Sequence, residues 1–137
     1  MDLLTKVNIK PSPKKIGYQD KILLLGSCFA DNIGEKFSEY YFQTTINPFG
    51  TLYNPASILN SLSPVAPQQW PIIFHNGLWH SMMHHGSCSH PDKNKLVHRC
   101  EESMTTMRNA LQEASTIIVT LGTSWVYEKE GMVVANC

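Results

Sequence analysis

The hydrophobic pattern changes period at Gly26-Ser27. Ile22 to Leu25 are apolar without interruption, as in a short strand buried on both faces of a parallel sheet. From Phe29 onward apolar residues recur at Ile33, Phe37 and Tyr40 or Tyr41, which predicts a helix with one buried stripe. Gly26 allows a sharp turn between the two, and Ser27 lands where the first unpaired N–H groups of the helix point outward. Tyr41–Ile46, rich in aromatic and β-branched residues, predicts a second strand, and Pro55 opens a short helix over Ala56–Leu62. Ile72-Ile73-Phe74 is an apolar triplet too short to assign. Glu101-Glu102-Ser103 begins a further predicted helix, with the stripe Met104, Met107, Leu111 and Ala114 and acidic residues in its first turn. Ser115–Leu121 is a β-branched strand ended by Gly122-Thr123-Ser124-Trp125, and Gly131–Cys137 starts another apolar segment that breaks off, as if truncated.

This order of elements predicts an α/β fold with a mostly parallel sheet. Residues 1–20, punctuated by Pro11 and Pro13, read as an N-terminal arm wrapping the domain edge. Residues 21–137 read as one partial α/β domain, with Ser63–Pro67 as a connector. At 137 residues the chain fits one domain but is small for a complete multi-layer α/β enzyme. Eleven basic and 11 acidic residues cancel, so no long-range field draws in nucleic acid or an anionic membrane. No signal segment or membrane-length apolar run is visible, and the expected location is cytoplasmic. Cys28, Cys88, Cys100 and Cys137 lack a CxxC pair and read as reduced thiols. Neither GxGxxG nor GxxxxGK[ST] occurs, and no cofactor is expected.

The candidate chemistry lies at strand ends. N–H groups at a helix start receive an oxyanion and favour the ionised form of a neighbouring nucleophile. Ser27 and Cys28 stand side by side there. The plainer reading is that Ser27 only caps the helix. The loop Asn47–Pro55 follows the second strand, so Asn47, Gly50 and Asn54 would meet Ser27 in the crevice outside the carboxyl ends of the sheet; alternatively the two asparagines only set turns ahead of proline. Thr123 or Ser124 would add a donor from the last strand end, or else bond its own backbone. His75, His80, His84, His85 and His90 surround Trp79 and Cys88. His80 and His84 have the spacing of one helical face, but Gly77, Gly86 and Pro91 argue for an irregular loop, solvated or lining a substrate, in place of a zinc site. One of these imidazoles is a candidate general base for Ser27, and the sequence does not say which.

Gly26-Ser27-Cys28-Phe29-Ala30 spells the signature of the bacterial GSCFA family. Asn47-Pro48-Phe49-Gly50-Thr51-x-Tyr53-Asn54-Pro55, Trp79-x-Ser81-x-x-His84-His85 and Gly122-Thr123-Ser124-Trp125-Val126-Tyr127 resemble its further blocks in order, over about Lys21 to Cys137. The family is grouped with the SGNH or GDSL hydrolases, so the resemblance implies a three-layer α/β sandwich of flavodoxin-like character. It implies a serine hydrolase or acyl transferase acting on an acyl ester, with a carbohydrate ester as the guess by analogy. Ser27 matches the nucleophile, whose own N–H serves the oxyanion, and Gly50 matches the second donor. Ser124 stands where the superfamily carries an asparagine, so Asn54 or Asn47 is expected in that role. Trp79, His84 and His85 are expected to line the substrate. The superfamily's Asp-x-x-His has no counterpart here, so the chain is expected to be an amino-terminal portion with little hydrolase activity alone. Two other readings remain at this point: a glycan- or acyl-binding module of the same fold, and a cysteine enzyme using Cys28.

Overall fold

The computed structural model describes residues 7–63 and 69–135. Parts of the connector, the end of the last apolar run and Cys137 lie outside them. The chain is α/β: strands β1 (Lys21–Gly26), β2 (Gln43–Ile46) and β5 (Thr116–Thr120) form a parallel sheet in the order β2-β1-β5. β1 is central because it is apolar on both sides, and Leu23 and Leu24 are fully buried. Each such side chain stabilises the fold by roughly 1.5–3 kcal/mol.

Alternation along β1 divides the core in two. Ile22 and Leu24 pack with Ala30, Ile33 and Phe37 of helix α1 (Cys28–Glu39). Leu23 and Leu25 face Ile58 of helix α2 (Pro55–Leu62) and Met104, Met107 and Leu111 of helix α3 (Lys93–Glu113). β5 lies in register with β1, Gly26 opposite Thr120 and Leu24 opposite Ile118. Ile117 and Val119, on the same side as Leu23 and Leu25, remain exposed. Lys14 of the arm reaches across to donate to the Ser115 carbonyl ahead of β5.

Two segments depart from the sequence-based expectation. Helix α3 begins at Lys93 instead of Glu101, two turns earlier, because Asp92 caps it: its carboxylate accepts from the N–H groups of Asn94 and Lys95. Leu96 and Cys100 continue the stripe upstream and are fully buried. The glutamates at 101 and 102 therefore sit mid-helix. The histidine region is not an irregular loop throughout. Ile72–His75 and Leu78–Ser81 are β3 and β4 of an antiparallel hairpin, turned by Asn76 and Gly77, both at positive φ. That dipeptide matches the twist of a two-residue hairpin turn. A single helical turn at Gly86–Cys88 follows. β6 (Tyr127–Lys129) and β7 (Met132–Val134) form a second hairpin.

Candidate active site

The parallel sheet ends at Gly26, Ile46 and Thr120, and the segments leaving those ends converge on Ser27. Gly26 has φ +124°, and a Cβ there would lie 1.9 Å from the Thr120 carbonyl oxygen. Only glycine permits the two strands to stay this close at the turn. Ser27 follows in extended conformation as the N-cap of α1, its Oγ accepting from Phe29 N–H at 3.4 Å. The Thr120 hydroxyl lies 3.0 Å from Ser27 Oγ and accepts from Ser27 N–H at 3.1 Å. The same N–H donates to the Thr120 carbonyl at 3.0 Å. The capping role is thus realised, and Ser27 is 7% exposed.

The loop after β2 folds across the end of β1. Leu52 N–H donates to the Gly26 carbonyl at 2.8 Å, and the Tyr53 carbonyl accepts from Gly122 and Thr123 N–H at 2.8 and 3.1 Å. A Cβ on Gly122 would come 3.4 Å from Ser27 Cβ. Ser27, the Leu52-Tyr53 turn and Gly122-Thr123 are thereby brought together.

Other residues of the loop serve as struts. Asn47 Oδ1 accepts from Gly26 N–H at 2.8 Å, and its Nδ2 donates to Asp31 Oδ1 at 2.6 Å. Thr51 Oγ1 donates to the second Asp31 oxygen at 2.9 Å. Both ends of the Asn47 amide are thus engaged in tying β1, α1 and the loop. Asn54, fully buried, caps α2: its Oδ1 accepts from Ser57 N–H at 2.7 Å. Gly50 N–H donates to the Asn47 carbonyl at 2.7 Å, and its φ of +77° and the His85 Cβ, 2.3 Å from where its own Cβ would be, require glycine. An oxyanion on the Ser27 or Gly50 amide therefore requires an existing bond to open. Ser124 is exposed beside the turn, where Thr123 Oγ1 accepts from Trp125 N–H.

The histidines are distributed over several environments. His84, 1% exposed, stacks on Phe49 at a centroid distance of 4.3 Å, meets Trp70 edge-on, and shares a 2.8 Å bond between Nδ1 and Ser81 Oγ. Burial lowers its pKa to about 4, so the ring is neutral at pH 7. His85 binds the loop through its backbone, N–H to the Phe49 carbonyl at 2.9 Å, while Nδ1 pairs with Ser87. His80 pairs with Ser89 and the His75 carbonyl, and His90 Nδ1 accepts from Asp92 N–H. Trp79 lies on β4 against Phe74, under the Lys93 ammonium. Among the described residues the partners of Ser27 Oγ are the Thr120 hydroxyl and Phe29 N–H, and no histidine is one of them. Among the described residues no three His, Cys, Asp or Glu side chains gather to hold a metal ion. No helix of the described residues is long and apolar enough to cross a membrane.

Cys28 is exposed as the first residue of α1. Cys100 is buried in the cluster of Trp70, Met83 and Leu96, which pushes its thiol up to about 12. Residues that the sequence pattern did not single out are Thr120, Asp31 and Thr51. The available signal was a polar residue closing an apolar strand, and a carboxylate one turn after Ser27.

The model of the GSCFA family matches residues 21–137 of the chain. No match was found among curated proteins or among solved structures.

Proposed function

Because the chain belongs to the GSCFA family, we propose that it is an SGNH-like serine hydrolase or acyl transferase, built as a three-layer α/β sandwich and acting on an acyl ester, with a carbohydrate ester as the substrate class. The observation that carries this reading is a serine at a helix N-terminus, at the carboxyl end of the central strand, with Gly122 backed against it.

Ser27 Oγ attacks the carbonyl carbon and passes its proton to a general base. The C–O bond to the alcohol then breaks, and the leaving oxygen takes the proton from that base. Water, or an acceptor hydroxyl, releases the acyl group by the same steps in reverse. Amides at Ser27 and Gly50 receive the oxyanion once their internal bonds open. An Asp-x-x-His segment would supply the base; residues 1–137 contain none, and triad enzymes without their base retain only roughly 10³–10⁴-fold acceleration over water.

The 7% exposure of Ser27 and its already engaged amide favour one alternative, a module that binds an acyl or glycan group without turning it over. Full-length protein assayed on short acyl esters separates the two. Ser27→Ala abolishing turnover supports the hydrolase, and equal turnover by wild type and variant rejects it. A ligand bound unchanged by both proteins favours the binding module.

A further inference from the structure

Thr120 closes β5 directly opposite Gly26. Because position 26 has no side chain, the Thr120 carbonyl and hydroxyl come as close as 1.9 and 3.0 Å to where a Cβ would stand. That approach brings the Thr120 hydroxyl to 3.0 Å from Ser27 Oγ and 3.1 Å from Ser27 N. The amide has a proton to give and none to receive, so Thr120 Oγ1 accepts there. Its own proton, or that of Ser27, fills the bond between the two hydroxyls.

A serine hydroxyl left to itself samples three staggered wells. The bond from Phe29 N–H, at 3.4 Å, is too long to select one firmly. The shorter bond to Thr120 does. We infer that Thr120 is a positioning residue that holds the Ser27 hydroxyl in the rotamer from which it attacks an acyl carbon, an inference that rests on Ser27 being the nucleophile. When the bond between Ser27 Oγ and the acyl carbon forms and the alcohol departs, the serine proton leaves through the base. Thr120 acts through its bonds to Ser27, so its contribution is expected to fall on kcat and not on KM.

The experiment uses the full-length protein with p-nitrophenyl acetate as ester and a fluorophosphonate as serine-directed probe. Thr120→Val keeps the branched shape and the strand propensity but removes the hydroxyl. Its kcat is expected to fall about five- to tenfold, the effect of one hydrogen bond felt at the transition state, with KM within twofold. Thr120→Ser is expected to recover most of the loss, while melting temperature reports any structural damage separately. A folded Thr120→Val protein with kcat within twofold of wild type, or a loss that Thr120→Ser shares equally, overturns the inference. Should Thr120→Val not fold, Thr120→Cys, with its weaker donor, decides by the same criterion.

The Ser27→Ala variant keeps the two readings apart. If it is inactive while Thr120→Val is unimpaired, only the positioning role falls. If it turns over as fast as wild type, or if wild type is inert to both probes, the nucleophile reading falls and takes this inference with it.

Discussion

Acid should unfold this protein through His84. The ring is sandwiched against Phe49 and meets Trp70, and burial holds its folded pKa at about 4 against an ordinary 6.5. In the unfolded chain the imidazole takes a proton near pH 6.5, whereas the folded ring stays neutral until about pH 4. Between those values the unfolded state binds more protons, so stability falls as pH falls; above pH 6.5 this group imposes no pH dependence. Each pKa unit corresponds to about 1.4 kcal/mol, so the gap is worth roughly 3 kcal/mol in all and about 2.5 kcal/mol by pH 4.5. With His84 almost wholly buried, solvent screening reduces this little. The assay is urea unfolding at a series of pH values from 7.5 to 4.5, wild type against His84→Gln, which keeps a polar side chain without a titrating ring. The variant is expected to be less stable at pH 7.5, with the difference shrinking by about 2–3 kcal/mol at the acid end. Parallel curves for the two proteins, or an imidazole resonance of His84 titrating near 6.5, would refute the reasoning.

Gly26→Ala places a methyl 1.9 Å from the Thr120 carbonyl oxygen at a φ of +124°. It is expected to cost roughly 3 kcal/mol or more, read as lost soluble yield or a large drop in melting temperature; a variant as stable as wild type would mean β1 and β5 do not close here. Asn47→Ala leaves the buried Gly26 N–H without its acceptor and should lower the unfolding free energy by about 1–3 kcal/mol. Asn47→Asp retains that acceptor but sets a second carboxylate against Asp31. It too should be destabilising, because two like charges then face each other at hydrogen-bond distance.

Much of the scaffold was legible because it is set by near neighbours. Continuous apolar residues at Ile22–Leu25 are the pattern of a strand covered on both faces, and the pairs Leu23/Leu25 and Ile22/Leu24 are buried on opposite sides. The Ser27 cap and Pro55 at the start of α2 follow from local hydrogen-bonding needs. Local signals also mark the two segments that differ: Asp92 caps α3, though Glu101-Glu102 imitate an acidic first turn, and Asn76-Gly77 turns β3 into β4 beside the loop-like Gly86 and Pro91.

Sequence alone determined the strands of the parallel sheet and the turn at Gly26-Ser27 from its central strand into a helix, whereas of the predicted apolar stripe only Ile33 and Phe37 pack on the core, Phe29, Tyr40 and Tyr41 being exposed. Tertiary structure decided what each polar group does there. Asn47 became a strut between Gly26 and Asp31, Asn54 became a helix cap, and Thr120 reached Ser27 across 93 residues of chain. Periodicity and propensity arise from contacts a few residues apart. The partner of a hydroxyl or an amide is fixed only when the sheet register brings distant segments within about 3 Å.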